Sequence, residues 1–168
     1  MIARTAVLAG GLAGGLGLSQ FPEFSQQYVQ RLGGAVDELG HVVAGFDADA
    51  AKVGLSREQA LVEMAASGAM PAARAQSMAG VMQRHARLSA DLAAIREAGP
   101  FTRAYHAKRF QDTEVARAAL ADFRPALPLS FEGAVFGGTG FFLGALVLTL
   151  LWSLLRWPLR LLRRRGAA

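Results

Sequence analysis

The stretch GAVFGGTGFFLGALVLTLLWSLL, residues 133–155, contains 23 residues and no charged side chain. As an α-helix it would be about 34 Å long, enough to cross a hydrocarbon core of about 30 Å with some tilt. Trp152 and Trp157 lie at its C-terminal end, where amphipathic indole rings favour the membrane–water interface. The stretch therefore predicts a C-terminal transmembrane helix.

Five arginines follow this helix in a short tail, residues 156–168. Because basic residues beside a span are retained on the cytoplasmic side, the tail is predicted to be cytoplasmic and to contact anionic headgroups. The predicted membrane-anchoring residues are the aromatic and basic side chains near the helix ends: Phe21, Phe24, Trp152, Trp157, Arg156, Arg160, Arg163, Arg164 and Arg165.

A second apolar segment lies at the start of the chain. Residues 6–18 are glycine-rich and apolar, and extension to residues 2–21 gives a helix of about 30 Å that includes Arg4. A cleaved signal peptide is the alternative, but no A-x-A-like site precedes Ser19. We predict an uncleaved transmembrane helix over residues 1–21. With basic residues inside, both termini are cytoplasmic, and the protein belongs to the bacterial inner membrane with its middle region in the periplasm.

Glycines recur at four-residue spacing in both apolar segments, as the pairs Gly10 and Gly14, Gly11 and Gly15, Gly133 and Gly137, and Gly140 and Gly144. This spacing places small residues on one helix face, so that two backbones can approach closely in lipid. In one interpretation the two helices of a single chain pack on each other. In the other, at least one glycine face contacts a second chain. The sequence leaves both open.

The middle region, residues 22–132, is predicted to be α-helical. Apolar residues between positions 24 and 46 recur at three- to four-residue steps, as in an amphipathic helix. Ser56 and Gln59 have the spacing of a capping box, which predicts the start of another helix. Pro71 restarts a longer helix. The predicted fold class is an all-α membrane protein, with two transmembrane helices flanking an extracytoplasmic helical hairpin or small bundle.

The formal charge of +5 belongs to the ends of the chain. Residues 19–132 contain 12 of the 18 basic residues together with all 13 acidic residues. A nucleic-acid-binding domain needs a basic folded face with stacking aromatic residues, so nucleic-acid binding is disfavoured. The chain has no cysteine, which excludes disulfides, thiolate catalysis and cysteine metal sites.

Titratable residues do not fall into the spacings of known catalytic motifs. His41, His85 and His106 are scattered, and no phosphate-binding loop occurs. His85 and Ser89 lie one helical turn apart, but no orienting acid or oxyanion donor accompanies them. We therefore predict no catalytic residue, no cofactor and no metal site.

The block SQFPEFSQQYVQRLGGAVDEL, residues 19–39, follows the first apolar segment. Its polar residues cover more than one helical face, so a solvated side does not explain all of them. They are predicted to form an amide-rich collar that makes inter-helix hydrogen bonds at the membrane surface: Gln26, Gln27, Tyr28, Gln30 and Arg31.

This block resembles the hallmark of an uncharacterised family of proteobacterial inner-membrane proteins that is labelled a domain of unknown function. Members are similar in layout over essentially the whole chain: an N-terminal hydrophobic segment, the block, an α-helical middle and a C-terminal transmembrane helix. The resemblance implies no activity, cofactor or catalytic residue.

Together these features predict a non-enzymatic scaffold or accessory protein that assembles through helix–helix contacts in membrane lipid. It would form a homo-oligomer or join a larger membrane protein complex. The alternative is an extracytoplasmic ligand- or lipid-sensing module that binds a polar molecule at Gln26, Gln27, Tyr28 and Arg31. A membrane enzyme, the third possibility, would need titratable groups from separate helices to converge.

Overall fold

The computed structural model describes residues 2–125 and 129–165, with side chains for residues 3–125 and 129–156. Over that part of the chain every regular element is helical, which confirms the all-α prediction. The elements are α1 Ile2–Ser19, α2 Phe21–Lys52, α3 Arg57–Ala66, α4 Ala69–Ile95, α5 Pro100–Tyr105, a 3-10 turn Ala107–Arg109, α6 Thr113–Ala121 and α7 Phe131–Arg165.

The chain divides into two compact units. We call Met1–Ser25 with Arg124–Ala168 the terminal unit, and Gln26–Phe123 the central unit. Residues 22–25 and 124–132, which were predicted to be part of the middle region, belong to the terminal unit.

The terminal unit is an antiparallel pair, α1 against α7. Among the described residues, one stretch is long and apolar enough to cross a membrane, Phe131–Arg156 in α7, and only 6% of its most apolar window is buried inside the protein. The predicted second span is α1, which has 18 residues. It ends at Ser19, two residues before the predicted boundary, because Pro22 has no N–H with which to continue the helical ladder.

The central unit begins with most of α2 and turns at Gly54, whose φ of 77° is favourable only for glycine. The predicted capping box then starts α3. The Ser56 hydroxyl accepts from the Gln59 N–H at 3.2 Å, and the Gln59 side chain accepts from the Ser56 N–H at 2.8 Å. Gly68, with a φ of 120°, separates α3 from α4.

Helix α4 runs back antiparallel to α2. A Cβ added to Gly40 of α2 would lie 3.4 Å from Nε2 of His85 in α4, an ordinary van der Waals distance, so the His85 side chain occupies the space between the two helices at this point. Further along, Arg31 of α2 forms an ion pair with Asp122, just after α6. The chain therefore enters and leaves the central unit at one end, the joined end, while α3 lies at the opposite, distal end.

The core of the central unit is thin and rich in alanine. Few large side chains are fully buried, chiefly Tyr28, Leu32, Leu88 and Ile95. The other buried apolar residues are Val43, Ala50, Ala60, Ala75, Met78, Leu92, Val115 and Ala119. Because alanine buries little apolar surface, this core contributes less hydrophobic stabilisation per residue than one built from leucine and phenylalanine.

Candidate functional site

The glycines of the terminal unit form a seam between α1 and α7. A Cβ added to Gly140 would lie 2.8 Å from the carbonyl carbon of Gly14, and one added to Gly144 would lie 2.9 Å from that of Gly10. A Cβ on Gly15 would lie 3.0 Å from the Gly137 carbonyl oxygen. Since real Cβ atoms almost never approach this closely, only glycine permits this packing.

The two glycine pairs of α1, Gly10 with Gly14 and Gly11 with Gly15, form two ridges on the helix surface, and both ridges contact α7 in this seam. Gly10 and Gly14 face the α7 backbone, while Gly11 faces the ring of Phe141 at 2.7 Å from its would-be Cβ. The structure thus shows the first interpretation, packing within one chain, for these glycines. Gly133 is buried near the start of α7, where its N–H donates to the Ser130 hydroxyl at 3.1 Å. Contact between a glycine face and a second chain stays a prediction.

The predicted anchoring residues that can be located lie at both ends of the α1–α7 pair. The ring of Phe21 is 5.2 Å from that of Phe136, and Phe24 is half-buried. At the other end, the Arg156 guanidinium lies 4.9 Å from the centroid of Trp152, a cation–π geometry. The remaining predicted anchors have side chains outside the described residues: Trp157, Arg160, Arg163, Arg164 and Arg165.

The predicted amide-rich collar is only partly a contact surface. Tyr28 is fully buried, its hydroxyl donates to the Arg109 carbonyl oxygen at 3.4 Å, and its ring lies 4.6 Å from that of Phe110. Arg31 forms the ion pair with Asp122. Tyr28 and Arg31 therefore join α2 to other elements of the central unit. The others are Gln26 and Gln30, both exposed, and Gln27, which is half-buried.

Asp112 is the centre of a charged cluster beside Tyr28. It caps α6, where its Oδ1 accepts from the Val115 N–H at 3.1 Å and from Arg84 at 3.0 Å. Arg84 also pairs with Glu114, and Arg87 approaches Asp112 at 3.7 Å. Burial alone would raise the pKa of Asp112, but the hydrogen bonds from Val115 and Arg84 outweigh it and lower the pKa.

A second ion pair extends the cluster to the 3-10 turn. Arg109 donates to Asp91 of α4 at 2.8 Å. The neighbouring Tyr28 has a raised pKa, chiefly because it is buried, and so keeps its proton as a donor at neutral pH. These contacts hold the segment between α5 and α6 against α2 and α4.

A surface cleft of about 680 Å³ opens over this cluster. In the part of the chain that the structure describes, Lys108 and Thr113 make no side-chain hydrogen bond, so both can serve a ligand. Three basic and two acidic side chains give the cleft a cationic excess, which suits an anionic group. The lining residues are Arg87, Asp91, Lys108, Arg109, Gln111, Asp112 and Thr113.

The histidines occupy separate places. His41 is exposed on α2, His85 lies opposite Gly40, and His106 packs edge-on against Tyr105 at 5.3 Å between ring centroids. Within residues 2–125 and 129–165, no three His, Asp or Glu side chains converge as metal ligands.

Sequence reasoning missed the cluster around Asp112. One local signal was present, since Asp112 directly precedes Thr113-Glu114-Val115 in the pattern of a helix N-cap. The ion pair between Arg84 and Asp112 had no such signal, because the partners are separated by 28 positions and pair only through the tertiary fold.

Residues 2–161 match the family of proteins of unknown function designated DUF2937, and the chain belongs to this family. The predicted membership of an uncharacterised family is thereby confirmed. No curated protein and no solved structure matches the chain.

Proposed function

We propose that this DUF2937 protein is a non-enzymatic scaffold or accessory protein of the bacterial inner membrane. Helices α1 and α7 form a transmembrane hairpin, both termini are cytoplasmic, and the central unit lies in the periplasm. The protein assembles through helix–helix contacts, either with copies of itself or with other membrane proteins.

One observation carries the membrane part of the proposal: the α1–α7 pair is apolar on its outer surface as well as at its seam. Large apolar side chains are exposed on both helices, such as Leu12 at 55% and Leu16 at 61% on α1, and Phe142 at 73% and Leu155 at 68% on α7. In water such a surface favours aggregation, whereas hydrocarbon solvates it at no cost.

The length of α1 is compatible with a second span. Its 18 residues correspond to about 27 Å, slightly less than the thickness of an average hydrocarbon core. Local thinning of the bilayer accommodates a mismatch of this size at a cost of a fraction of a kcal/mol per Å. Close packing along the seam places α1 beside α7 over this whole length, which favours two spans over one.

The surroundings of Trp152 support an interface at one end of the hairpin. Its indole N–H is buried and has no acceptor among the described residues, while Arg156 lies over its ring. Tryptophan rings and arginine side chains are favoured where hydrocarbon meets headgroups, so this pair suits a membrane–water interface at this end of the hairpin.

The scaffold part rests on how the central unit uses its polar and apolar residues. Its charged side chains pair across elements and hold the fold together, as Asp112 and Asp91 do. Its distal end exposes Val53 at 70%, Val62 at 71% and Met70 at 78%. Beside them lies an apolar groove of about 460 Å³, and an exposed apolar patch of this kind is typical of a protein–protein contact.

Topology is tested first, using the absence of native cysteines. Met70→Cys and a cysteine appended after Ala168 are labelled in spheroplasts with a membrane-impermeant maleimide. We expect labelling of the Met70→Cys variant in intact spheroplasts, and of the appended cysteine only after lysis. Labelling of both in intact spheroplasts, or of neither, contradicts the proposed arrangement.

Assembly is tested by native mass spectrometry of the full chain extracted in lipid nanodiscs. We expect masses above that of the 17.8 kDa chain, and a reduction of those masses by Val62→Glu together with Met70→Glu. A matched control, Leu120→Glu, changes an exposed apolar residue away from the distal end. A strictly monomeric wild-type particle with no bound partner contradicts the scaffold proposal.

The cleft beside Asp112 favours ligand sensing as a second candidate function. Its cationic excess and the unpaired Lys108 suit a small anionic molecule. Native mass spectrometry of the purified wild-type chain should then show a bound small anion that is lost in Arg87→Ala. Identical spectra for the two proteins count against this function.

A further inference from the structure

The central unit has opposite charges toward its two ends. Residues 96–109 contain four basic side chains and one acidic side chain, a formal charge of +3. Residues 37–63, the outer half of α2 together with α3, contain six acidic and two basic side chains, a formal charge of −4. The positive charge is therefore concentrated in one short segment of the unit.

This segment also exposes two aromatic rings. Phe101 and Tyr105 lie one helical turn apart on α5, and they are 47% and 86% exposed. Rings with an apolar body and a polar tip, as in tyrosine, are favoured where hydrocarbon meets headgroups. We call residues 96–109, with these two rings, the basic–aromatic segment.

Internal contacts place the basic–aromatic segment at the joined end. The Arg103 guanidinium donates to the carbonyl oxygens of Ile95 at 3.2 Å and Arg96 at 3.3 Å, which fastens α5 to the end of α4. The Arg109 carbonyl oxygen accepts from Tyr28, the third residue of the central unit. The segment thus lies where the chain enters the unit, and the acidic half lies toward the distal end.

Two of the four basic side chains are available to a partner. Arg103 is engaged by the α4 carbonyls, and Arg109 is paired with Asp91. Arg96 and Lys108 are exposed, and their side chains make no hydrogen bond or ion pair within the described residues. Together with the two rings they form a surface that combines cationic and aromatic groups.

We propose that the basic–aromatic segment binds the anionic phospholipid headgroups of the membrane in which the protein is anchored. Phe101 and Tyr105 insert at the interface, while Arg96 and Lys108 contact lipid phosphates. This inference rests on the proposed function, because α1 and α7 must span the bilayer for the joined end to meet it. An anionic surface repels the acidic residues of the distal half, so only the basic–aromatic segment suits such a surface.

The test uses the full chain with a single nitroxide label at Tyr105→Cys, in nanodiscs of phosphatidylcholine or of an equal mixture with phosphatidylglycerol. Collision with oxygen and with a water-soluble nickel complex reports the depth of the label. We expect the label to be shielded from nickel in the mixed discs and less so in phosphatidylcholine. A label at Ala48→Cys, an exposed position toward the distal end of α2 that does not line the apolar groove, should collide freely with nickel in both.

Charge dependence is tested by adding Lys108→Glu to the Tyr105→Cys chain. Each basic residue at an anionic surface changes the binding equilibrium roughly fivefold. Reversing the charge should therefore lower the ratio of lipid-inserted to free basic–aromatic segment by at least that factor in the mixed discs. Lys52→Glu, at the end of α2, makes the same change in net charge away from the segment and should leave the ratio unchanged.

The outcomes separate this inference from the proposed function. A label at Phe142→Cys on the outer face of α7 reports on membrane insertion alone. If position 142 is shielded while position 105 matches position 48, the segment does not bind lipid and the inference is overturned. Equal shielding of position 105 in both disc types overturns the role of anionic headgroups. Free nickel access at position 142 overturns the proposed function itself.

Discussion

The two units of this protein hold their helices together in opposite ways. In the terminal unit, glycines allow the α1 and α7 backbones to touch, and dispersion between closely spaced atoms provides the attraction. In the central unit, helices are held apart by side chains, and a thin core is supplemented by ion pairs such as Arg84 with Asp112. Glycines therefore make backbone contacts between helices in the terminal unit, whereas most glycines of the central unit have no atom within 4 Å of an added Cβ.

In the proposed arrangement, this difference follows from the solvent around each unit, which is lipid for the terminal unit and water for the central unit. Where lipid surrounds a helix pair, burying more apolar surface gains little, so close backbone packing is the available source of stability. Where water surrounds the helices, apolar burial and paired charges both contribute, and the backbones need not touch. Four tests of this contrast follow, in decreasing order of their expected effect.

Gly144→Leu should have the largest effect, because its side chain would have to displace the backbone at Gly10 and Gly11. Overpacking typically costs 1–3 kcal/mol, and we expect about 3 kcal/mol or more here since backbone atoms must move. Spin labels at Leu16→Cys and Phe142→Cys should give a narrow distance distribution in the parent chain and a broad one in the variant. Gly138→Leu is the control, since no atom lies within 4 Å of its would-be Cβ; equal broadening in both would contradict the seam.

Asp112→Ala should be the most damaging of these changes in the central unit. It removes the cap of α6 and leaves Arg84 without its most buried partner, a loss of about 2–3 kcal/mol. Urea denaturation of the full chain in detergent measures this loss of stability, and amide hydrogen exchange in α6 then shows whether the helix itself is destabilised. Asp122→Ala breaks an ion pair whose partners are about half exposed and should cost less than about 1 kcal/mol. Similar losses in the free energy of unfolding for both variants would contradict the central role of Asp112 in the cluster.

Replacement of glycine by alanine should have opposite signs in the two units. Gly33→Ala lies inside α2 with open space around the new methyl group, so helix propensity should stabilise the central unit by roughly 0.5–1 kcal/mol. Gly140→Ala places the same methyl group against the Gly14 backbone and should destabilise the seam. The denaturation midpoints of both variants show whether each substitution raises or lowers stability. A stabilising effect of Gly140→Ala would argue against backbone contact between α1 and α7.

Tyr28→Phe should have the smallest effect, visible mainly at high pH. Burial raises the pKa of Tyr28 above its ordinary value of 10.0, so its contribution is fully present below pH 10 and is lost as the pH rises through the folded-state pKa. Unfolding midpoints between pH 8 and pH 12 should fall less steeply in the variant than in the wild type. Parallel curves would show that Tyr28 ionises as easily in the folded protein as in the unfolded chain.

The sequence was most informative where a signal is local. The apolar run within α7, the capping box at Ser56 and the four-residue glycine spacing each depend on residues within a few turns. It could not show that both glycine ridges of α1 face the same helix, because that depends on how α7 docks. Likewise, the burial of Tyr28 against Phe110 depends on a return of the chain more than 80 residues later, which no local pattern indicates.

The seam between α1 and α7 also dictates an order of events during synthesis. Gly10 and Gly144 are 134 positions apart, so α1 is made long before the helix that covers its glycines exists. Contacts between such distant positions form late, because a long loop must first close. The contacts among α2, α3 and α4 of the central unit involve residues up to Ile95 only, and they can form before the ribosome reaches Gly144. We therefore expect chains that stall before α7 to expose the glycine face of α1, which marks an unfinished protein for quality-control proteases.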